Sequence, residues 1–233
     1  MATTEAPVHD ADLTGTAAHL LDVAEHLFAE KGLGNVSIRE IVRASGQNNL
    51  SAAHYHFGSR NALLAAMLTR RIRVINALRH KALDNLVASG RADTVHAIVA
   101  ASFGVLADAV RTMPWGVDYV RVAAQGLFSP QMHLWELLDA GSISGHVRCN
   151  AMLRVLLPDL PQDVFNERIL ILNNQAAYSI ARWVQTNGAV TAASMVQYAQ
   201  MVQNTTDFLA AGVAAPVGGR GGGVSREYAP ASA

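Results

Sequence analysis

Residues 37–64 read SIREIVRASGQNNLSAAHYHFGSRNALL, and the fold turns on this stretch. Ser37 with Glu40 three residues later forms a capping box, in which the serine hydroxyl accepts from an orphan amide and the glutamate reaches back. The helix it starts, IREIVRA, closes at Ser45-Gly46, because glycine tolerates the left-handed backbone in which helices end. Asn48, Asn49 and Ser51 can each cap a second short helix running to about His56, and Ser59 opens a long one. Two short helices across a tight glycine turn make a helix-turn-helix, whose second helix can enter a DNA major groove about 12 Å wide. The second helix, NNLSAAHYHF, suits that place. Ala52 and Ala53 allow close approach, Asn and Gln side chains can read adenine bidentately, and Ser, Tyr and His can hold phosphate.

The same helical pattern extends outward. Leu20, Leu21, Ala24, Leu27 and Phe28 form the apolar stripe of an amphipathic helix that ends at Gly32. The long helix opened by Ser59 carries Leu63, Leu64, Met67, Leu68, Ile72, Ile75, Leu78 and Leu83. Helices are then expected over Ala92–Arg111, Trp115–Gly126 and Gln131–Leu157, with stops at Pro114, Pro130 and Pro158. Pro161 opens the next, which Asn187-Gly188 ends, and Thr191 starts the last. The fold class is all-α, with about nine helices and no credible strand. Residues 1–15 read as a flexible arm, 16–60 as the helix-turn-helix domain and 61–90 as a connecting helix. Residues 91–211 read as a ligand-binding and dimerisation domain, and 212–233, rich in glycine, alanine and proline, as a flexible tail.

Charge separates the two parts. The chain is neutral overall, yet Lys31–Lys81 holds nine basic residues, Arg39 and Arg60 among them, against Glu40 alone. That window carries +8 and the remainder −8, an asymmetry typical of nucleic-acid binding. The alternative is a helical interaction protein whose basic face meets acidic partners without operator specificity.

With these features in view, Leu20–Leu64 resembles the amino-terminal DNA-binding domain of the TetR family of bacterial repressors. The resemblance rests on AEHLFAEKG, on VSIREIVRASG and on the Tyr55-His56-Phe57-Gly58-Ser59-Arg60 run before the leucine-rich helix. It implies phosphate contacts from Ser37 and Arg60, with His56 a further one. Gln47, Asn48, Asn49, Ser51 and His54 are the base-reading candidates, and Tyr55 is a contact or a core residue. A weaker resemblance, through Arg70-Arg71, Asn76, Arg79, Leu83-Asp84 and Leu157–Pro161, points to the branch containing fatty-acid-responsive repressors.

The second domain suggests a pocket. Trp115, Tyr119, Phe128 and Trp135 cluster around two proline breaks, and Phe103 lies on the preceding helix. Arg121, Asn174 and Tyr178 are polar groups within apolar helices, as in an apolar small-molecule site. Arg121 is the candidate partner for a carboxylate. Helices near 161–187 and 191–211 carry a surplus of apolar residues and are read as a homodimer interface through Ala176, Ala177, Ile180, Trp183, Val184, Tyr198 and Val202.

Other classes lack support. The sequence holds no nucleophile elbow, no His-Glu-x-x-His and no dinucleotide fingerprint, so it is read as no enzyme, with no cofactor and no metal. Its one cysteine, Cys149, excludes an internal disulfide framework and suits a cytoplasmic setting; beside Arg148, it is either a sensing thiol or a small buried residue. The longest mostly apolar run, Ala97–Ala107, stops at Asp108, short of the roughly 18 residues of a membrane span, and the amino terminus lacks a secretion signal. The expected partners are an operator in double-stranded DNA, a second copy of the chain and an apolar effector, with no membrane.

Overall fold

The computed structural model describes residues 15–47, 57–127, 138 and 140–218. These residues contain eight α-helices and a short 3-10 turn, Ala140–Ile143, with no strand among them. The helices are α1 (Gly15–Lys31), α2 (Ile38–Ala44), α3 (Arg60–Ala88) and α4 (Val95–Thr112), then α5 (Gly116–Leu127), α6 (Ser144–Leu156), α7 (Gln162–Asn187) and α8 (Met195–Ala214).

The caps read in the sequence hold where they are described. Ser37 accepts from the Glu40 amide at 3.2 Å, and Ser59 from the Ala62 amide at 3.1 Å. Gly46 takes φ 70°, which lets α2 end against the backbone of Val42 and Arg43. Two boundaries differ from expectation. Within the stretch read as a single helix over 131–157, the chain makes the 3-10 turn before α6 begins at Ser144. The last helix starts at Met195, because Thr191 and Ser194 exchange hydrogen bonds in a separate turn. The second short helix of the helix-turn-helix lies outside the described residues.

Head and body share one long support. The first half of α3 puts Leu63, Leu64, Met67 and Leu68 into a core with Leu20, Leu21, Phe28 and Ile41. Its last turns put Leu83 and Leu86 into a second core with Ile98, Phe103, Leu153 and Ile180. Each fully buried Leu, Ile or Phe contributes roughly 1.5–3 kcal/mol against exposure. The head core does not stop at α3, since Tyr119, Val122 and Ala123 of α5 and Ala109 of α4 also belong to it.

Two glycines permit close packing. A side chain at Gly116 would run into the backbone of Ala109 and Val110, where α5 starts against the end of α4. One at Gly145 would meet the Asn76 amide, which donates to the Ser142 carbonyl and so fastens α3 to the turn before α6. Helix α4 is long and apolar enough, at 18 residues, to cross a membrane. Here it is packed against α3, α5, α6 and α8, with Ile98, Val99 and Phe103 buried.

Candidate functional site

The head presents α2 with Arg39 and Arg43 exposed, and Gln47 half-buried after the turn. Ser37 is exposed at the start of α2, so its hydroxyl caps the helix at the surface. Lys31 holds the Glu40 carboxyl below the usual carboxylate range through a 2.6 Å contact. Arg60 is turned inward. Its Nε donates to the Val36 carbonyl at 2.8 Å, and its guanidinium stands 5.3 Å over the Phe28 ring. Asn48, Asn49, Ser51, His54, Tyr55 and His56 lie outside the described residues. Phe57 is buried in the head core, as a structural aromatic should be.

The +8 window is not a free basic face. Arg71 donates through Nε and Nη2 to Glu25 at 2.8 and 2.5 Å, and Arg70 and Arg71 both reach Asp22. Arg79 is buried in the body, and Lys31 is paired. Much of the basic charge therefore fastens helices together, which a count along the sequence cannot distinguish from surface charge.

Head and body meet along α1, α3 and α5. Gln125 of α5 accepts from the Leu33 amide at 2.9 Å and donates to the Phe28 carbonyl at 3.4 Å, thereby bracketing the turn after α1. His26 contacts Asp118 at 3.0 Å. The Arg71 guanidinium stands 4.9 Å over the Trp115 ring, which meets Tyr119 edge-on at 5.8 Å. Trp115 thus belongs to the joint. Burial raises the Glu25 carboxyl to about 7, against the opposing pull of Arg71.

A cavity of about 60 Å³ lies between α3, α4, α5, α6 and α7. Ile75, Phe103, Leu106, Val120 and Leu172 supply much of its apolar wall, and Tyr119 lines it too. Its other polar groups are Arg79, Ser102, His146, Cys149 and Asn173. A water needs roughly 10–15 Å³ on this measure, so the space holds a few waters and must open for anything larger. Burial pushes His146 down to about 3 and Tyr119 up to about 12, so both are neutral near pH 7. The Cys149 thiol is also pushed up by burial, while Arg148 turns away to Asp84 at 2.7 Å. Cys149 is the small buried residue of the two readings.

The pocket expected from the sequence is therefore partly relocated. Phe103 and Tyr119 line the cavity. Arg121 and Tyr178 instead line an open groove with Glu30 and Arg182, and Asn174 stands one residue from the lining Asn173. Phe128 and Trp135 lie outside the described residues. Arg79 and His146 are pocket residues that the sequence reading does not include. On α3, Arg79 read as surface charge; its clue was position, four residues after core Ile75 and four before core Leu83.

The interface residues also need correction. Ala176, Ala177, Ile180, Trp183, Val184 and Tyr198 are buried within the protomer, and Val202 packs partly against the same core. Trp183 meets Tyr198 edge-on at 4.8 Å, and the Tyr198 hydroxyl donates to the Ala107 carbonyl at 2.8 Å. The apparent surplus of apolar residues is used within the protomer, where α7 packs on α5 and α8, and α8 packs on α4. Outward from α7 and α8 stand Leu170, Ile171, Tyr178, Val196 and Phe208, all exposed.

Residues 20–67, which span α1, α2 and the start of α3, match the family model for bacterial regulatory proteins of the tetR family. No curated protein matches the chain in sequence. Among solved structures, the chain is similar to the transcriptional regulator FadR from Bacillus subtilis in complex with stearoyl-CoA. The identity is 12% and the TM-score 0.57, over 84% of this chain and 98% of that one. It is similar also to the fatty acid degradation regulator FadR from Bacillus halodurans, at 11% identity and TM-score 0.57, over 85% and 96% of the respective chains. At such identities the likeness establishes the fold, whereas the sequence match lies on the head. Residues 20–67 thus form a head similar to that of the tetR family of bacterial regulatory proteins, and this head supports a DNA-binding transcriptional regulator.

Proposed function

We propose that this chain is a homodimeric cytoplasmic repressor, released from a palindromic operator by an apolar small molecule bound in the body. One observation carries the reading: α3 and α5 each line the cavity and also pack into the head core. A molecule that parts Ile75, Tyr119 and Leu172 must move helices that also hold α1. Such a ligand lowers operator affinity if it binds better to the arrangement in which two heads are wrongly spaced. Coupling of about 1–3 kcal/mol weakens the operator complex about 5- to 150-fold.

The effector class follows from the walls, which are largely apolar with a few converging polar groups. A fatty acid or acyl thioester fits that chemistry, and the similar regulator from Bacillus subtilis was solved with stearoyl-CoA. In this chain the cavity has to widen for a long acyl group.

DNA reading is assigned to Gln47, Asn48, Asn49, Ser51 and His54, and backbone contact to Ser37, Arg39, Tyr55 and His56, while Arg60 supports the head from within through the Val36 carbonyl. One recognition helix reads only a few base pairs, so two copies must bind half-sites about 34 Å apart, or a multiple of that. The second copy docks on the outward faces of α7 and α8, where Leu170, Ile171 and Phe208 stand exposed.

Selection from random duplexes, followed by footprinting of the winning site, tests the proposal. An inverted repeat protected on one face, and bound less tightly after octanoate, octadecanoate or stearoyl-CoA is added, is expected. Equal affinity for selected and scrambled duplex at physiological salt overturns the operator reading. A ligand that fills the body without changing operator affinity overturns the switch for that ligand.

A further inference from the structure

We propose that Arg79 is the anchoring residue for the effector, and that the effector is accordingly an apolar molecule ending in a free carboxylate. This rests on the effector reading above and deepens it. Arg79 is 3% exposed and lines the cavity. Its Nε donates to the Ser102 hydroxyl and its Nη1 to the Asn76 amide oxygen, both at 3.0 Å. Both acceptors are neutral. Of five N–H donors, those two bonds use two, and no carboxylate pairs with Arg79 among the described residues.

Such an arrangement is costly to leave as it stands. An arginine keeps its charge in a protein, and a buried charge without a counter-ion is strongly unfavourable. The same chain satisfies its other deeply buried arginine: Arg71 has Glu25 and Asp22. The titratable neighbours in the cavity do not compensate Arg79. His146, Tyr119 and Cys149 are all shifted toward their neutral forms by burial. Arg79 is thus the one ionised group among the described lining residues.

The missing charge indicates the ligand. A carboxylate matches the planar guanidinium fork, and the apolar walls take a hydrocarbon chain. Ser102, His146 and Asn173 stand in the same lining as further polar neighbours for the head group. A thioester carries no charge at the carbonyl and leaves Arg79 uncompensated. Arg121, the carboxylate partner expected from the sequence, lines the open groove with Glu30 and is separate from this cavity.

The test measures binding to the full chain by calorimetry, using hexanoate, octanoate and decanoate with the neutral amide of each. Wild type is expected to bind at least one acid and to bind its amide about 10- to 150-fold more weakly, the range for hydrogen bonds to charged groups. Arg79→Met is expected to bring acid and amide to similar affinity. The ratio is the informative readout, because a purely structural role for Arg79 weakens both ligands alike. Should Arg79→Met not fold, the wild-type ratio decides alone. Acid and amide bound equally by wild type, a ratio preserved in Arg79→Met, or no acid bound at all overturns the proposal. An acid that binds through Arg79 but leaves operator affinity unchanged refutes the switch and leaves the anchor standing.

Discussion

The side chain of Gln125 accepts a hydrogen bond from the backbone amide of Leu33 at 2.9 Å, joining residues 92 positions apart. Gln125 sits on the helix that also places Tyr119 and Val120 on the cavity wall. A displacement of α5 by a ligand therefore pulls on the turn that leads from α1 into α2.

Replacing Gln125 with leucine removes both of its backbone bonds and leaves the Leu33 amide without its partner. Stability should fall by about 1–3 kcal/mol, the usual cost of orphaning a buried donor. Operator binding should persist while its weakening by effector shrinks. Operator titrations with and without effector check this, and a full-sized response in the variant argues against α5 as the connection.

Two glycine substitutions should separate close packing from helix propensity. Gly116→Ala drives a methyl group into the backbone of Ala109 and Val110 and should destabilise by about 1–3 kcal/mol, as overpacking does. Gly104→Ala meets nothing within 4 Å in the middle of α4 and should stabilise by about 0.5–1 kcal/mol. Thermal unfolding of both variants measures the contrast, and shifts of equal sign would contradict it.

Glu25 gives a pH dependence with a defined sign. Its carboxyl is raised from 4.5 to about 7, chiefly by burial, so folding takes up a proton between those values. Its contribution is present below the unfolded value and is lost as pH rises toward 7. His146, lowered to about 3, works in the opposite direction between 3 and 6.5, so wild type alone is ambiguous. The informative quantity is the Tm of wild type minus that of Glu25→Gln. It should decrease from pH 4.5 to 7.5, and a flat or rising difference refutes the shift.

The dimer proposal predicts that Ile171→Asp and Phe208→Asp give folded monomers. Both positions are exposed in the protomer, at 55% and 70%, so a charge there costs little unless a second copy covers it. Sedimentation and circular dichroism together test this; dimers of undiminished affinity in both variants place the interface elsewhere. Trp183→Ala should instead unfold the body, losing about 3–5 kcal/mol as a large core truncation.

Local chemistry was the part written plainly in the sequence. Ser37, Ser59, Gly46 and Gly188 mark helix ends because caps and left-handed glycines act on the residues beside them. The apolar stripe of α1 and the regular leucines of α3 identified the head core for the same reason, since helical periodicity is a property of consecutive residues. With the Tyr55–Arg60 run, these features were enough to name the family that residues 20–67 match.

The sequence by itself determined the all-helical class, the capped helix ends at Ser37, Gly46, Ser59 and Gly188, and the DNA-binding head, all of which depend on neighbours a few residues apart. Only the tertiary structure decided which charges are buried and which apolar faces are already covered. Arg79 and Arg71 look alike on one helix, yet Glu25 compensates Arg71 from 46 residues away, and no described carboxylate compensates Arg79. Trp183 and Tyr198 look like surplus apolar surface until the Ala107 carbonyl of α4 is seen to accept the tyrosine hydroxyl. Burial and pairing are sums over contacts from distant parts of the chain, and helical periodicity does not encode which helix will cover a given face.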